Sequence, residues 1–395
     1  MSDTAHIGGP PAALIIPVEE DLVQVCCETF GTALRAVVLT GSLARNEASY
    51  RLKEGHAILL SDAEAIVVLR DGAPLPSRQA TQSLCGLAEQ RLGGRGVRID
   101  VSLSVVHGSY LRRMPPHIYS YELRICGLVL YGEPGILEEI PIYSASDLSR
   151  EDAWRTLSNR LVEQMEAGAE VGAGNALRYG SIKLCLDLAS SLLVFSGRFE
   201  AGYRARLGRL EEFALTSGAE RLPIPIAEFL ALLRVCTTAK LQAEVVAGPG
   251  AALAEQVTRW AWQAWLWELE RLTGSDRGAG AEEMIRAFGR SLGGERLLRA
   301  WLFAVRRAGW LHSASYWTKW LSLFTWKLTP RHAVYLAAYR WRQAQLEENS
   351  SGERQPMETV CDLLPVDGTA RAATAAEAAR QLVWNYQEFV METRA

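Results

Sequence analysis

Asp62 and Glu64 stand at i and i+2, immediately ahead of the apolar run Ala65-Ile66-Val67-Val68-Leu69. Asp100 stands inside the alternating stretch Val97-Arg98-Ile99-Asp100-Val101-Ser102-Leu103. Residues two apart on a strand share a face, so Asp62 and Glu64 point the same way. Asp100 shares its face with Arg98 and Ser102, while Val97, Ile99, Val101 and Leu103 take the other, so a neighbouring strand can bring a third carboxylate beside the first two. Upstream, Ala36-Val37-Val38-Leu39-Thr40 stops at Gly41-Ser42. Three acids beside a glycine-serine turn suit a hard divalent cation and a polyphosphate. Mg²⁺ takes oxygen from a few carboxylates, substrate phosphates and water, and phosphoryl chemistry needs positioning and charge neutralisation more than covalent help. Gly41 lets the backbone come close to a phosphate, Ser42 adds a hydroxyl donor, and Arg45, four residues after Gly41, reaches toward the same anion.

Several elements must position these residues. A helix over 18–31 ends near Gly31, and strand, turn and short helix follow over 35–50. The strand carrying Glu64 runs to Arg70 and meets the turn Asp71-Gly72-Ala73-Pro74. Leu84, Leu87, Ala88 and Arg91 give 77–92 helical spacing, stopped at Gly93-Gly94. After the Asp100 strand come a Met114-Pro115-Pro116 loop, a helix near 118–127 and the strand Leu128–Gly132. Strands alternating with helices describe an α/β or α+β sheet domain. A Gly-Ser pair or an Asp-x-Glu occurs by chance in many chains; the order, the flanking apolar runs and the third acid carry the reading together.

This constellation resembles the polymerase-β-like nucleotidyltransferase superfamily, closest to its bacterial two-domain aminoglycoside-type and minimal members. They have a Gly-Ser turn after one strand, an Asp-x-Asp/Glu on the next and a third Asp on a later one. Gly41-Ser42, Asp62/Glu64 and Asp100 match those positions, and Leu128-Val129-Leu130-Tyr131-Gly132 is similar to the strand that follows. The resemblance covers about residues 30–135 and extends more loosely to about 215. Two departures stand out: a longer gap from Ser42 to Asp62, with a polar insertion around Arg51-Leu52-Lys53-Glu54-Gly55, and Glu rather than Asp as second acid.

The resemblance implies an α+β fold with a mixed-sheet catalytic domain; the change of pattern near residue 147 puts that domain at 1–145 and a large all-helical domain, expected to bind nucleotide and acceptor, at 146–395, with 248–280 as the place where it could divide again. It implies two Mg²⁺ ions on Asp62, Glu64 and Asp100, with Asp100 helping to deprotonate the acceptor. It places the β/γ-phosphates of an NTP, ATP first, on Gly41-Ser42. The implied reaction moves an NMP to a hydroxyl acceptor, foremost a small molecule such as an aminoglycoside-like antibiotic. The alternatives are nucleotidylation of a protein or a tRNA end, oligonucleotide synthesis, and a non-catalytic nucleotide-binding regulatory module. Glu122 lies where antibiotic adenylyltransferases sometimes place an acceptor base, although a glutamate on a helix surface is the commoner case.

From about residue 147 the pattern is helical. Ser149-x-x-Asp152 reads as a capping box, and breaks are expected at 172–174, 248–250, 274–280 and 349–352. In the apolar helix 176–195, Tyr179, Lys183, Asp187 and Ser190 form one polar stripe. Either Lys183 pairs with Asp187, or, as in related enzymes, Lys183 meets the triphosphate. Gly197, Gly202-Tyr203-Arg204 and Arg206 resemble the segment that follows in aminoglycoside-type enzymes. Residues 255–345 hold ten of the twelve tryptophans, spaced as helix–helix contacts, with an aromatic surface for an acceptor, partner or membrane interface as the second reading. His312 and His332 read as structural, no zinc spacing occurs, and 370–393 reads as a final amphipathic helix.

The chain has 395 residues, 49% apolar and 22% charged, with net charge −3, which suits a globular protein of two domains and does not favour a large nucleic-acid partner. Seven scattered cysteines without a CxxC read as free thiols in a reducing compartment. The N-terminus lacks a signal-peptide pattern, and no uncharged run approaches a membrane span, so a cytoplasmic protein without a membrane partner is expected.

Overall fold

A computed structural model describes residues 12–53, 56–169, 174–241, 250–275, 278–308, 310–351, 357–366 and 374–390. Of a loose lead expected over 1–17, residues 1–11 lie outside the described residues and 12–17 are already helical; the tip of the 51–55 insertion and the breaks at 172–173 and 248–249 lie outside them too, while the break expected at 349–352 is helix as far as Ser351. The fold is mixed α+β, with a four-stranded mixed sheet near the N-terminus and mostly helices after it. By contact the chain divides into two compact units, Met1–Ala153 with Ala189–Gly248, and Trp154–Leu188 with Pro249–Ala395. Residues 189–248 therefore belong with the sheet, whereas the sequence placed everything after 145 in one helical domain.

The first unit starts with α1 (Ala12–Phe30), β1 (Leu34–Thr40), the one-turn α2 (Gly41–Ala44), β2 (Tyr50–Lys53), β3 (His56–Leu59) and β4 (Ala63–Leu69). It continues with α3 (Arg78–Gly94), β5 (Val97–Arg98), β6 (Val101–His107), α4 (Gly108–Leu111), α5 (Ile118–Cys126) and β7 (Leu128–Gly132). The main sheet has the order β6-β4-β1-β7, and β2-β3-β5 form a second small sheet. The polar stretch after Ser42 thus pairs as a hairpin, Tyr50 opposite Leu59 and Lys53 opposite His56. β1 pairs antiparallel with β4, and β4 pairs parallel with β6.

Strand alternation decides what covers each face. Val37, Leu39, Val67, Leu69, Val97, Ile99, Val101 and Leu103 turn to one face, against Val18 and Leu22 of α1 and Ala88 and Leu92 of α3. Ala36, Val38, Ile66 and Val68 turn to the other, against Leu111, Met114 and Leu123 of α4, the following loop and α5. The expected sidedness of the Asp100 strand is therefore the observed one.

α6 (Arg150–Ala169) and α7 (Gly174–Phe195) run across the division between units, and α8 (Tyr203–Ala214) and α9 (Ile226–Leu241) complete the first. At the start of α6, Ser149 Oγ accepts from the Asp152 N–H at 3.3 Å, as expected of a cap. The Asp152 carboxylate reaches past the box and accepts from the Ile118 N–H at 3.0 Å, tying α6 to α5.

The second unit contains α10 (Gly250–Thr273), α11 (Ala281–Ser291), α12 (Gly293–Ala308), α13 (Trp310–Thr325), α14 (Pro330–Ser351), α15 (Glu358–Cys361) and α16 (Ala375–Phe389). Its centre is aromatic: Trp154 lies within 5.4–6.0 Å, centroid to centroid, of Trp265, Phe288, His332 and Tyr335. Three of the buried indoles have partners for their N–H groups: Trp265 donates to Ser158 Oγ at 2.8 Å, Trp301 to the Leu328 carbonyl at 2.9 Å and Trp320 to the Pro365 carbonyl at 2.6 Å, whereas Trp154 Nε1 has none among the described residues. The tryptophans are thus largely core, with Trp317, Trp326 and Trp384 exposed. His332 is buried in that cluster. Burial first, then Arg331, Arg296 and Arg155, depress its pKa to about 3, so it is neutral at physiological pH. No described helix is long and apolar enough to cross a membrane.

Candidate functional site

The three acids occupy neighbouring backbone positions at one end of the main sheet. The parallel pairing of β4 and β6 sets Ala63 opposite Val101 and Glu64 opposite Ser102, and the Ala63 N–H donates to the Asp100 carbonyl at 2.8 Å. Asp62 and Asp100 are therefore neighbours on adjoining strands, whose spacing is about 4.8 Å. Alternation from Ile66 and Val68 puts Asp62 and Glu64 on the face covered farther along by α5, and alternation from Val106 puts Asp100 there too. Asp62 and Asp100 are exposed and Glu64 is half-buried.

β1 ends at the same place, with Thr40 opposite Glu64. Gly41 follows with φ +70, in the left-handed region that favours glycine. A Cβ placed on it would stand 2.8 Å from Glu64 Oε2. The turn and the second acid of the Asp-x-Glu pair are thus in direct apposition, which only a residue without a side chain allows. Among the described residues, no group of three or more His, Cys, Asp and Glu side chains is gathered closely enough to hold a metal ion by itself. The backbone brings the acids to neighbouring positions, but their side chains do not form a closed cage. Mg²⁺ needs only one or two carboxylates when substrate phosphates supply the remainder, so the exposed Asp62 and Asp100 fit such an ion.

Behind the turn is a charged cluster that the sequence did not reveal. Arg45 donates Nε to Glu47 at 3.1 Å and Nη1 to Glu122 at 3.0 Å, with its side chain 8% exposed. Its guanidinium is therefore held by two carboxylates and not offered to the anion expected at Gly41-Ser42. Glu122 uses its other oxygen for Arg206, so both carboxylate oxygens of the candidate base are engaged. Arg206 is buried, gives Nη1 to Ser190 Oγ at 2.9 Å and Nε to the Glu200 carbonyl at 2.9 Å, and lies over the Phe199 ring at 4.7 Å. Burial, then the charge of Arg45, lowers its pKa to about 9, with Glu47 opposing; the group stays charged at neutral pH. Glu47 closes the cluster by accepting from the Tyr203 N–H at 2.7 Å. Gly202, at φ +89, admits this carboxylate, since a Cβ there would stand 3.1 Å from Glu47 Oε1.

A second missed residue is Lys240, buried at the end of α9. Its Nζ donates to Ser61 Oγ at 2.9 Å, and the Ser49 N–H donates to the same oxygen at 3.1 Å. Ser49 Oγ returns a bond to the Lys240 carbonyl at 2.7 Å. Lys240 thereby fixes the residue that leads into Asp62. Its signal was a cation in the last turn of the largely apolar helix 226–241, which also carries Glu228 and Arg234. Lys183 belongs to the second unit, with Nζ 4.8 Å from the Tyr179 ring centroid. Its stripe neighbour Asp187 accepts from Arg160 at 2.7 Å, and Ser190 accepts from Arg206.

The geometry offers two exposed carboxylates side by side, a third against a glycine turn, and two sets of buried contacts that immobilise the turn and the strand entry. No protein-family model matches the chain, and no curated protein matches it in sequence.

Proposed function

We propose that the first unit is the catalytic domain of a Mg²⁺-dependent nucleotidyltransferase, moving an NMP from an NTP, ATP first, to a hydroxyl of a small acceptor such as an aminoglycoside-like antibiotic. The observation that carries this reading is the register that sets Asp100 beside Asp62, at the sheet end where Gly41 abuts Glu64. Asp62, Glu64 and Asp100 would hold the metal, and Gly41 with Ser42 would receive the β/γ-phosphates. Bound Mg²⁺ would neutralise charge on the reacting phosphate oxygens. Asp100, exposed and just ahead of the edge strand β6, would accept the acceptor's proton. Arg45, Glu47, Glu122 and Arg206 would hold the turn that presents Ser42. Lys183, on the second unit beside Tyr179, would take no part in holding the phosphates.

Seven free cysteines suit a reducing, cytoplasmic setting. A second reading, a non-catalytic nucleotide-binding regulatory module, draws on the acid side chains, which are not gathered into a metal group among the described residues. Incubation with each labelled NTP and a panel of aminoglycosides, tRNA and protein, followed by mass spectrometry, tests the proposal. Mg²⁺-dependent addition of one nucleotide to a small acceptor supports it. Addition to tRNA or protein alone makes the acceptor a macromolecule, and addition to none removes the enzyme and leaves the module.

A further inference from the structure

The second unit encloses a cavity of about 460 Å³ among α6, α10, α14 and α16. That volume falls in the range of small-molecule sites. Two tryptophans form its aromatic walls. Trp262 is buried and held edge-on to Trp265 and Tyr339, with centroids 5.3 and 5.7 Å away. Trp341 is fixed by its indole N–H, which donates to the Ala375 carbonyl at 2.9 Å. Neither ring has rotamer freedom to lose on binding, which removes a usual cost of association. The opposite side is made of small residues, Ala375, Ala376 and Ala379 at the start of α16.

The polar groups there favour negative charge. Arg342 lines the cavity with its side chain 13% exposed, whereas its partner Glu255, at 2.6 Å, is 59% exposed at the rim. An ion pair so open on one side is worth little and is readily exchanged for a better anion. Thr374 Oγ1 caps the Glu377 N–H at 3.2 Å. The Ala375 and Ala376 amides precede it in the first turn, where no intrahelical acceptor exists, and both residues line the cavity. Gln164, 6% exposed, lines it too; its Nε2 donates to Ser181, so its Oε1, unpartnered among the described residues, calls not for the anionic group but for an N–H donor on the ring.

We propose that this cavity binds a small flat aromatic anion, its ring against Trp262 and Trp341 and its anionic group on Arg342 in place of Glu255. The site is independent of the nucleotidyltransferase reading. A nucleoside monophosphate and an aromatic carboxylic acid share this chemistry, and titration calorimetry on the full chain without Mg²⁺ separates them. The probes are AMP and indole-3-acetate, with adenosine and indole-3-ethanol as their uncharged counterparts. At least one anion is expected to bind at a single site, roughly tenfold or more tighter than its counterpart. Arg342→Gln should remove that preference. Ala376→Trp fills the space from an exposed position, so it should keep the thermal unfolding temperature and abolish binding. Absence of binding by both anions, or binding that survives Ala376→Trp, or a preference that survives Arg342→Gln, would overturn the proposal.

Discussion

Replacing Glu122 by glutamine removes one charge from the cluster behind the Gly41 turn and leaves Arg45 and Arg206 facing a neutral amide. The three side chains are 14%, 8% and 7% exposed, so water offers little compensation. Breaking a buried ion pair by deleting one partner costs about 3–5 kcal/mol. That is a large share of the 5–15 kcal/mol that typically holds a domain together. All twelve tryptophans lie in the second unit, so tryptophan fluorescence reports that unit alone. Unfolding of the first unit is read by hydrogen exchange of the β4 amides. Glu122→Gln should lower their protection by the stated amount and leave the tryptophan transition in place. Arg206→Met in the same chain should cost less than the sum of the two single changes, with a coupling of about 0.5–3 kcal/mol. If β4 protection is unchanged while nucleotidyl transfer falls, Glu122 acts as a base and the structural reasoning is refuted.

Three further outcomes are expected. Gly41→Ala should destabilise the first unit by about 1–2 kcal/mol, because alanine disfavours the left-handed conformation, and should weaken NTP binding by displacing the Glu64 carboxylate; hydrogen exchange and calorimetry check the two effects. His332 has a folded-state pKa near 3 against an ordinary 6.5, so its neutral form supports folding fully above pH 6.5, and that support is lost as pH falls toward 3. Between pH 6 and 4 the stability of the second unit, followed by tryptophan fluorescence in urea, should fall by about 1.4 kcal/mol per pH unit from this group, and His332→Phe should flatten the slope. Thr374→Ala removes the cap of α16 and should cost about 1 kcal/mol in the same assay.

What was legible in the sequence was local. Apolar runs interrupted by turns gave β1, β4, β6 and β7, and strict alternation gave the sidedness of Val97 through Leu103. The i, i+2 spacing of Asp62 and Glu64 carried the acids because strand geometry repeats every two residues. What was missed depends on distant partners. Arg45 meets Glu122 seventy-seven residues away, and Lys240 meets Ser61 across 179 residues; no spacing rule connects them. Arg45 looked available because its nearest acid, Glu47, lies only two residues on and gives no hint of the second. The polar stretch at 51–55 gave no turn signal strong enough to announce a hairpin. Residues 189–248 read as helix like their neighbours, and helical periodicity does not say which unit a helix joins.

The central claim is that Asp62, Glu64 and Asp100 serve one Mg²⁺–nucleotide site beside the Gly41 turn. Calorimetric titration of the full chain with each NTP, with and without Mg²⁺, measures it directly, alongside Asp62→Asn and Asp100→Asn. Both residues are exposed, so the variants should fold as the parent does. Saturable binding of at least one NTP that requires Mg²⁺ and weakens at least tenfold in each variant is the predicted result. Binding to no NTP, or metal-dependent binding left intact by both substitutions, would contradict the account.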